Sequence, residues 1–203
     1  MTKDTGAATT KGRQTRTRII ETAAELMLTQ GVTATTVDEI CDVADVGKSQ
    51  IYYYFDDKSA LVRGVIEYQT ERVLAGHEPV FDAINSWTDW EMWRDWILEN
   101  QSSNSFRWGC PLGSLANELA DVDDLARHVL NESFDRWERG FALALQQMID
   151  SGQLRADVDV AALSTFMLSS LQGGILLCQT RKSEAPLRWA LDYAIEHLRS
   201  LAV

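Results

Sequence analysis

Proline is nearly missing from this 203-residue chain, at three residues, and glycine is held to twelve. So few turn formers exclude a fold built of many short strands. The apolar residues recur at three-to-four spacing rather than alternating, so the predicted fold class is all-α. Cysteine is also scarce. Cys41, Cys110 and Cys178 lie far apart, odd in number and without Cys/His spacing for zinc, which excludes a disulfide framework and fits a reducing cytoplasm. The three histidines, His77, His128 and His197, stand at unrelated positions, and there is no nucleophile elbow or phosphate-cradling glycine loop. No catalytic residue, metal or cofactor is therefore expected, and a hydrolase or transferase is disfavoured.

An excess of positive charge is lacking too: the net charge is −11, at first sight a poor match to nucleic acid. Its distribution changes that reading. The first 63 residues hold eight Lys/Arg and nine Asp/Glu, so −10 of the total lies beyond Arg63. Lys3, Lys11, Arg13, Arg16 and Arg18 precede Ile19 with only Asp4 against them, a local basic arm. The opening MTKDTGAATTKGRQTRTR has no apolar signal-peptide core, and residues 1–14 read as a disordered basic leader. One uncharged run, Val160 to Cys178, has the length of a membrane span. It is interrupted by Ser164, Thr165, Ser169, Ser170, Gln172, Gly173 and Gly174 and lacks aromatic belts, so it is read as a helix–helix interface with no membrane partner.

What is present is a series of amphipathic segments. Ile19, Ile20, Ala23, Ala24, Leu26 and Met27 predict a first helix over Thr15–Gln30, closed by Gly31. Thr36-Val37-Asp38-Glu39 is a capping-box pattern that starts a short helix, broken at Asp45-Val46-Gly47. A second short helix follows over Lys48–Tyr54, with Ile51 and Phe55 inward and Lys48, Ser49, Gln50 and Tyr53 outward. Asp56-Asp57 caps a longer helix to about Ala75, interrupted from Gly76 to Pro79. Thr88-Asp89-Trp90-Glu91 is read as a second capping box. Further helices are expected to about Asn100, through Ala120, over Asp123–Ser151, over Val158–Arg181 and over Pro186–Leu201.

Two short helices joined by a tight turn at Gly47 match the helix-turn-helix plan, in which the second helix enters the major groove. Lys48 can donate to guanine, Gln50 can pair bidentately with adenine, and Ser49 can serve either role. Tyr52, Tyr53 and Tyr54 present hydroxyls around the helix, and Lys58 adds a charge suited to phosphate. An aromatic-rich helical hairpin also serves as plain core packing, and a helical ligand carrier that binds no DNA is the rival reading.

The stretch GVTATTVDEICDVADVGKSQIYYYFDDKSALVRGVIE resembles the DNA-binding signature of the TetR family of repressors, and with Thr15–Gln30 the likeness covers about the first 75 residues. Tyr54 replaces a common His there, and Gly47 stands where Ser is frequent. The resemblance implies a three-helix DNA-binding domain over 15–57, then a connecting helix plus a larger ligand-binding and dimerisation domain over 58–203. It implies a phosphate contact for Thr36, base or nearby backbone contacts for Lys48, Ser49, Gln50 and Tyr53, and phosphate anchoring by Tyr52, Tyr54 and Lys58. Double-stranded operator DNA, a second copy of the chain and a small effector are the implied partners. The segment GCPLGSLANELAD resembles the branch containing the LmrA/YxaF and NemR regulators.

The region between Trp87 and Trp137 is rich in Trp, Met and Phe, as an apolar pocket is. Trp90, Trp93, Phe106, Cys110 and Trp137 are the candidate lining of a site for an apolar or aromatic effector, with core packing as the competing reading. Cys110 before a helix is alternatively a thiol sensor of lowered pKa. For the dimer, Leu187, Leu191, Ala194, Leu198 and Leu201 follow heptad-like spacing, and Gly173-Gly174 allows a close helix approach.

Overall fold

The computed structural model describes residues 9–203. Nine helices make up their regular structure: α1 (Thr10–Gln30), α2 (Val37–Ala44), α3 (Lys48–Tyr54), α4 (Lys58–Phe81), α5 (Trp87–Ser103), α6 (Pro111–Leu119), α7 (Asp124–Asp150), α8 (Val160–Arg181) and α9 (Ala185–Arg199). The chain is all-α, as its spacing predicts. It forms two compact units, one of residues up to Arg72 together with Ser114–Ser133, the other of Val73–Gly113 with Phe134–Val203.

The first unit is built on α1, α2 and α3. Ile19, Ile20, Ala23, Ala24 and Met27 of α1 are buried, as are Ile40, Cys41 and Ala44 of α2 and Ile51 and Phe55 around α3. The first half of α4 belongs here too, so the unit does not stop at residue 57. Gly64 explains the fit: a Cβ there would lie 3.3 Å from the Phe55 ring and 3.7 Å from Ile20, so its bare α-carbon lets α4 settle on both. The Arg16 guanidinium covers the Phe55 ring at 5.3 Å. The expected leader over 1–14 falls partly outside the described residues, and its last part is corrected. Thr9 caps α1 by accepting from the Gly12 N–H at 3.1 Å, so Lys11 and Arg13 are helical.

In the second unit an aromatic cluster fixes α4, α5 and α7. His77 and Phe81 of α4 meet Trp93 and Trp96 of α5 and Trp137 and Phe141 of α7. That burial carries α4 through the predicted break, with Pro79 inside its last turns. Gly140 makes the approach close, since a Cβ there would stand 2.4 Å from Phe81. The start of α5 also differs from the expected box at Thr88. Ser86 is the cap: its hydroxyl accepts from the Asp89 N–H at 3.3 Å and donates to the Asp89 carboxylate at 2.7 Å, while that carboxylate takes the Asn85 N–H at 3.1 Å.

The pairing of α8 with α9 uses most of the expected dimer residues within one chain. Leu187, Leu191 and Leu198 are wholly buried within one chain, and a Cβ at Gly174 would meet Leu187 at 2.7 Å from its side chain and 2.9 Å from its α-carbon. The glycine and the leucine stripe therefore seal α8 to α9 of the same protomer. Heptad-like spacing marks an apolar face but does not say whose helix covers it. By length and composition α8 is the described helix that could cross a membrane. Here one of its faces is buried, through Leu163, Met167, Leu168, Leu171, Ile175 and Cys178.

Candidate nucleic-acid interface

Thr36 stands in extended backbone at the cap of α2, and its hydroxyl oxygen accepts from the Glu39 N–H at 3.2 Å. The predicted reciprocal bond is absent because the Glu39 carboxylate takes the Gln30 side-chain amide at 2.7 Å, tying α1 to α2 instead. Thr36 keeps its own O–H free to donate, beside the free N–H groups of a helix start, an arrangement suited to phosphate. Between α2 and α3, Asp45 adopts a left-handed backbone at φ 50° and its N–H bonds the Cys41 carbonyl. Asp is one of the residues that tolerates this region, so the turn is made by Asp45 rather than by Gly47, whose φ is −79°.

At the start of α3, the Gln50 side-chain oxygen accepts the Gly47 N–H at 3.0 Å. This aligns the amide along the helix end and leaves its NH2 group outward. Lys48, Ser49 and Gln50 are all exposed, with Tyr52 half exposed at 50% and Tyr53 at 57%. Tyr54 is half-buried and packs edge-on against Tyr53 at 5.0 Å. Ile51 and Phe55 hold the opposite side in the core. The predicted division of the helix into an inward apolar line and an outward polar one is what the structure has.

Two charges are arranged in ways the sequence does not disclose. Lys48 Nζ lies 2.5 Å from the Asp38 carboxylate of α2, and that hydrogen bond and charge raise the lysine's pKa above its ordinary value. Lys58, expected on phosphate, has an internal partner: it donates to the Val32 carbonyl at 2.7 Å and is half-buried.

The candidate effector residues separate into two neighbourhoods. Trp90, Trp93 and Trp137 belong to the buried aromatic cluster, with Trp90 stacked on Phe141 at 6.3 Å and edge-on to Trp93 at 5.7 Å. Trp93 donates to His77 Nδ1 at 3.5 Å, which fixes His77 as an acceptor, and burial holds its pKa at about 4. Among the described residues the indole N–H groups of Trp90 and Trp137 have no acceptor. Phe106 and Cys110 lie elsewhere: Lys182 donates to the Phe106 carbonyl at 3.0 Å, and Gln172 Nε2 approaches Cys110 Sγ at 3.4 Å. Cys110 is buried, and desolvation pushes its thiol pKa up, outweighing the opposing pull of the Gly113 and Leu112 N–H groups. The lowered pKa expected from a helix start is thus reversed. Among the described residues no cluster of His, Cys, Asp and Glu suits a metal ion.

Sequence reasoning named Gly173 on the outer face of α8 but missed the exposed apolar side chains beside it and on α9. Phe166, Leu176 and Leu177 are exposed on α8, and Trp189 and Tyr193 are exposed on α9 at 58% and 75%. Gly173 shares that side of α8, with nothing within 4 Å of where its Cβ would be. The signal was available, since Trp189 and Tyr193 are four apart and so on one helix face.

Comparison with known proteins agrees with this architecture. Residues 90–194 match the family model "Tetracyclin repressor-like, C-terminal domain", and residues 19–65 match "Bacterial regulatory proteins, tetR family". Among curated relatives, the HTH-type transcriptional regulator YxaF of Bacillus subtilis is 25% identical over 85% of this chain and 88% of its own length. The HTH-type transcriptional repressor NemR of Escherichia coli is 29% identical over 68% and 69%. The crystal structure of a TetR-family transcriptional regulator from Cytophaga hutchinsonii superposes with a TM-score of 0.82 at 22% identity, covering 96% of this chain and 98% of that one. YxaF and NemR are the relatives that GCPLGSLANELAD pointed to. The chain belongs to the TetR family and is a DNA-binding regulator of transcription, not an enzyme.

Proposed function

We propose that the protein is a cytoplasmic repressor that binds a two-fold operator as a homodimer and leaves it when an apolar or aromatic effector binds the second unit. The observation that carries the DNA part is the start of α3, where Lys48, Ser49 and Gln50 are exposed in successive positions while Ile51 and Phe55 anchor the helix from behind. Gln50 and Ser49 read base edges, Tyr53 meets a base or the adjoining backbone, and Tyr52, Tyr54 and Thr36 anchor phosphates. Lys48 exchanges Asp38 for a DNA acceptor. Two α3 helices, one per protomer, enter successive major grooves about 34 Å apart. Lys58 acts through the fold, by its bond to Val32, more than through phosphate.

For dimerisation, Phe166, Leu176 and Leu177 of α8 with Trp189 and Tyr193 of α9 form the contact surface, and Gly173 lets the partner's helix come close. The effector reading rests on Trp90 and Trp137, whose unpaired buried N–H groups each cost about 1–3 kcal/mol. An aromatic ligand with an acceptor oxygen restores that loss as it displaces ring packing, and neutral His77 offers no charge for an anion. Selection of duplexes from random DNA with the full chain, followed by Gln50→Ala, tests the DNA surface. The variant is expected to change base preference at one position of each half-site, and an unchanged preference overturns the assignment. Titration of tryptophan fluorescence with neutral aromatic carbonyl compounds tests the effector site, with saturable quenching and operator release expected together.

A further inference from the structure

The GCPLGSLANELAD segment contains a residue, Glu118, that lies outside both the DNA-contact helices and the aromatic cluster. Glu118, in the last turn of α6, lies in the same compact unit as α1, α2 and α3. Its Oε2 accepts the Val32 N–H at 2.8 Å. The other side of Val32 is also held, since Lys58 Nζ donates to its carbonyl at 2.7 Å. Val32 is buried, and the residue before it, Gly31, has φ 86°, a conformation that strongly favours glycine. The bare α-carbon of Gly31 also makes room for the carboxylate: a Cβ there would lie 3.1 and 3.2 Å from its two oxygens. Further along the same turn, the Thr35 hydroxyl donates to the Gly31 carbonyl at 2.8 Å, directly before Thr36. The path from the end of α1 to the phosphate-facing cap of α2 is thus gripped by one side chain from α6 and one from α4.

We infer that Glu118 is a positioning residue for the DNA-reading surface: by holding the Val32 N–H opposite Lys58, it fixes the α1–α2 turn and with it the placement of Thr36, α2 and α3. The same segment is held at its beginning by α8. Gln172 Nε2 approaches Cys110 Sγ at 3.4 Å, and Gln172 Oε1 stands 3.0 Å from where a Cβ of Gly113 would be. The inference rests on the reading of α2 and α3 as the DNA-contacting surface.

The direction of the effect separates positioning from charge. Removing a carboxylate from a DNA-binding unit on electrostatic grounds alone tightens binding to any duplex. Loss of positioning weakens binding to the selected operator only. With the full chain, Glu118→Ala is expected to weaken binding to the duplex enriched from random DNA about tenfold, with a scrambled duplex bound as before or slightly more tightly. Glu118→Gln keeps a carbonyl oxygen at the same reach and is expected to stay within about threefold of wild type. Operator binding by Glu118→Ala that equals or exceeds wild type overturns the inference, as does equal loss in the Gln and Ala variants. In the unaltered protein the Val32 amide is expected to exchange its hydrogen slowly, and exchange at the rate of an open loop overturns the inference even if Glu118→Ala does not fold. Gln50→Ala in the same assays separates the two readings. If it leaves sequence discrimination intact, the DNA surface itself is wrong, whereas failure confined to the Glu118 variants removes only the positioning role.

Discussion

Asp38 and His77 are single residues whose surroundings set measurable behaviour. Asp38 occupies Lys48 at 2.5 Å and also presents its own negative charge close to the N-terminal end of α3. Exposed pairs of this kind contribute little to stability, so the pair's effect lies in binding. Asp38→Asn is expected to tighten operator binding by about threefold to tenfold and to steepen its dependence on salt, measured by fluorescence anisotropy across a salt series. His77 is buried among Phe81, Trp96 and Trp137 with its pKa lowered to about 4 by desolvation. Its folded pKa lies below the unfolded value near 6.5, so the unfolded chain binds the extra proton first on acidification. Stability from this residue is complete above pH 6.5 and falls as pH drops from 6.5 to 4, by roughly 3 kcal/mol at most. His77→Gln keeps an acceptor for Trp93 and does not titrate. Denaturant melts between pH 7 and 4 are expected to lose less stability in that variant than in wild type. Neither Asp38's partner nor His77's burial was legible in the sequence, because each depends on what a neighbouring helix brings within 6 Å.

At the scale of the element, the helices were largely legible and their ends less so. Spacing of apolar residues identifies α2, α3, α7, α8 and α9 to within two residues and the end of α1, whose polar first turns carry no such signal, because period-3.6 burial is a local property of a helix. Pro79 was read as a break in α4 and is not one, since His77 and Phe81 are held by the aromatic cluster and the helix gains more there than it loses at one amide. The sequence puts the cap of α5 at Thr88 and the structure has it at Ser86, because two overlapping capping patterns compete in Ser86-Trp87-Thr88-Asp89-Trp90-Glu91 and only packing chooses between them. Gly174→Ala drives a Cβ toward the Leu187 α-carbon, a backbone atom that cannot rotate away. The expected cost is about 2 kcal/mol, seen as a fall of roughly 4–8 °C in Tm by calorimetry. Gly173→Ala next to it meets nothing within its own chain, so any effect it has on a dimer is separable from the fold.

For the whole molecule, charge and assembly must be considered together. Residues 1–63, which hold α1, α2 and α3, carry only −1 of the chain's −11, so this stretch can approach DNA, and weak binding to nonspecific duplex is the consequence. The exposed apolar residues of α8 and α9 are the surface proposed for the dimer. Leu176→Arg together with Tyr193→Glu is expected to give monomers in sedimentation at micromolar concentration, with near-native circular dichroism and operator affinity reduced by at least about a hundredfold. A dimer that persists in the double variant would place the interface elsewhere. The helical class, the two short helices with an exposed polar face and the family itself were determined by the sequence alone, because periodicity, caps and a local signature act over a few residues. Tertiary structure decided the rest. It turned Leu187, Leu191 and Leu198 inward, occupied Lys48 with Asp38 and Lys58 with Val32, reversed the expected pKa of Cys110, and brought Glu118 to a turn 86 positions away. The physical reason is common to all of these: the partner of an apolar face or a charged group is selected by three-dimensional packing, and chain spacing does not encode which helix arrives to supply it.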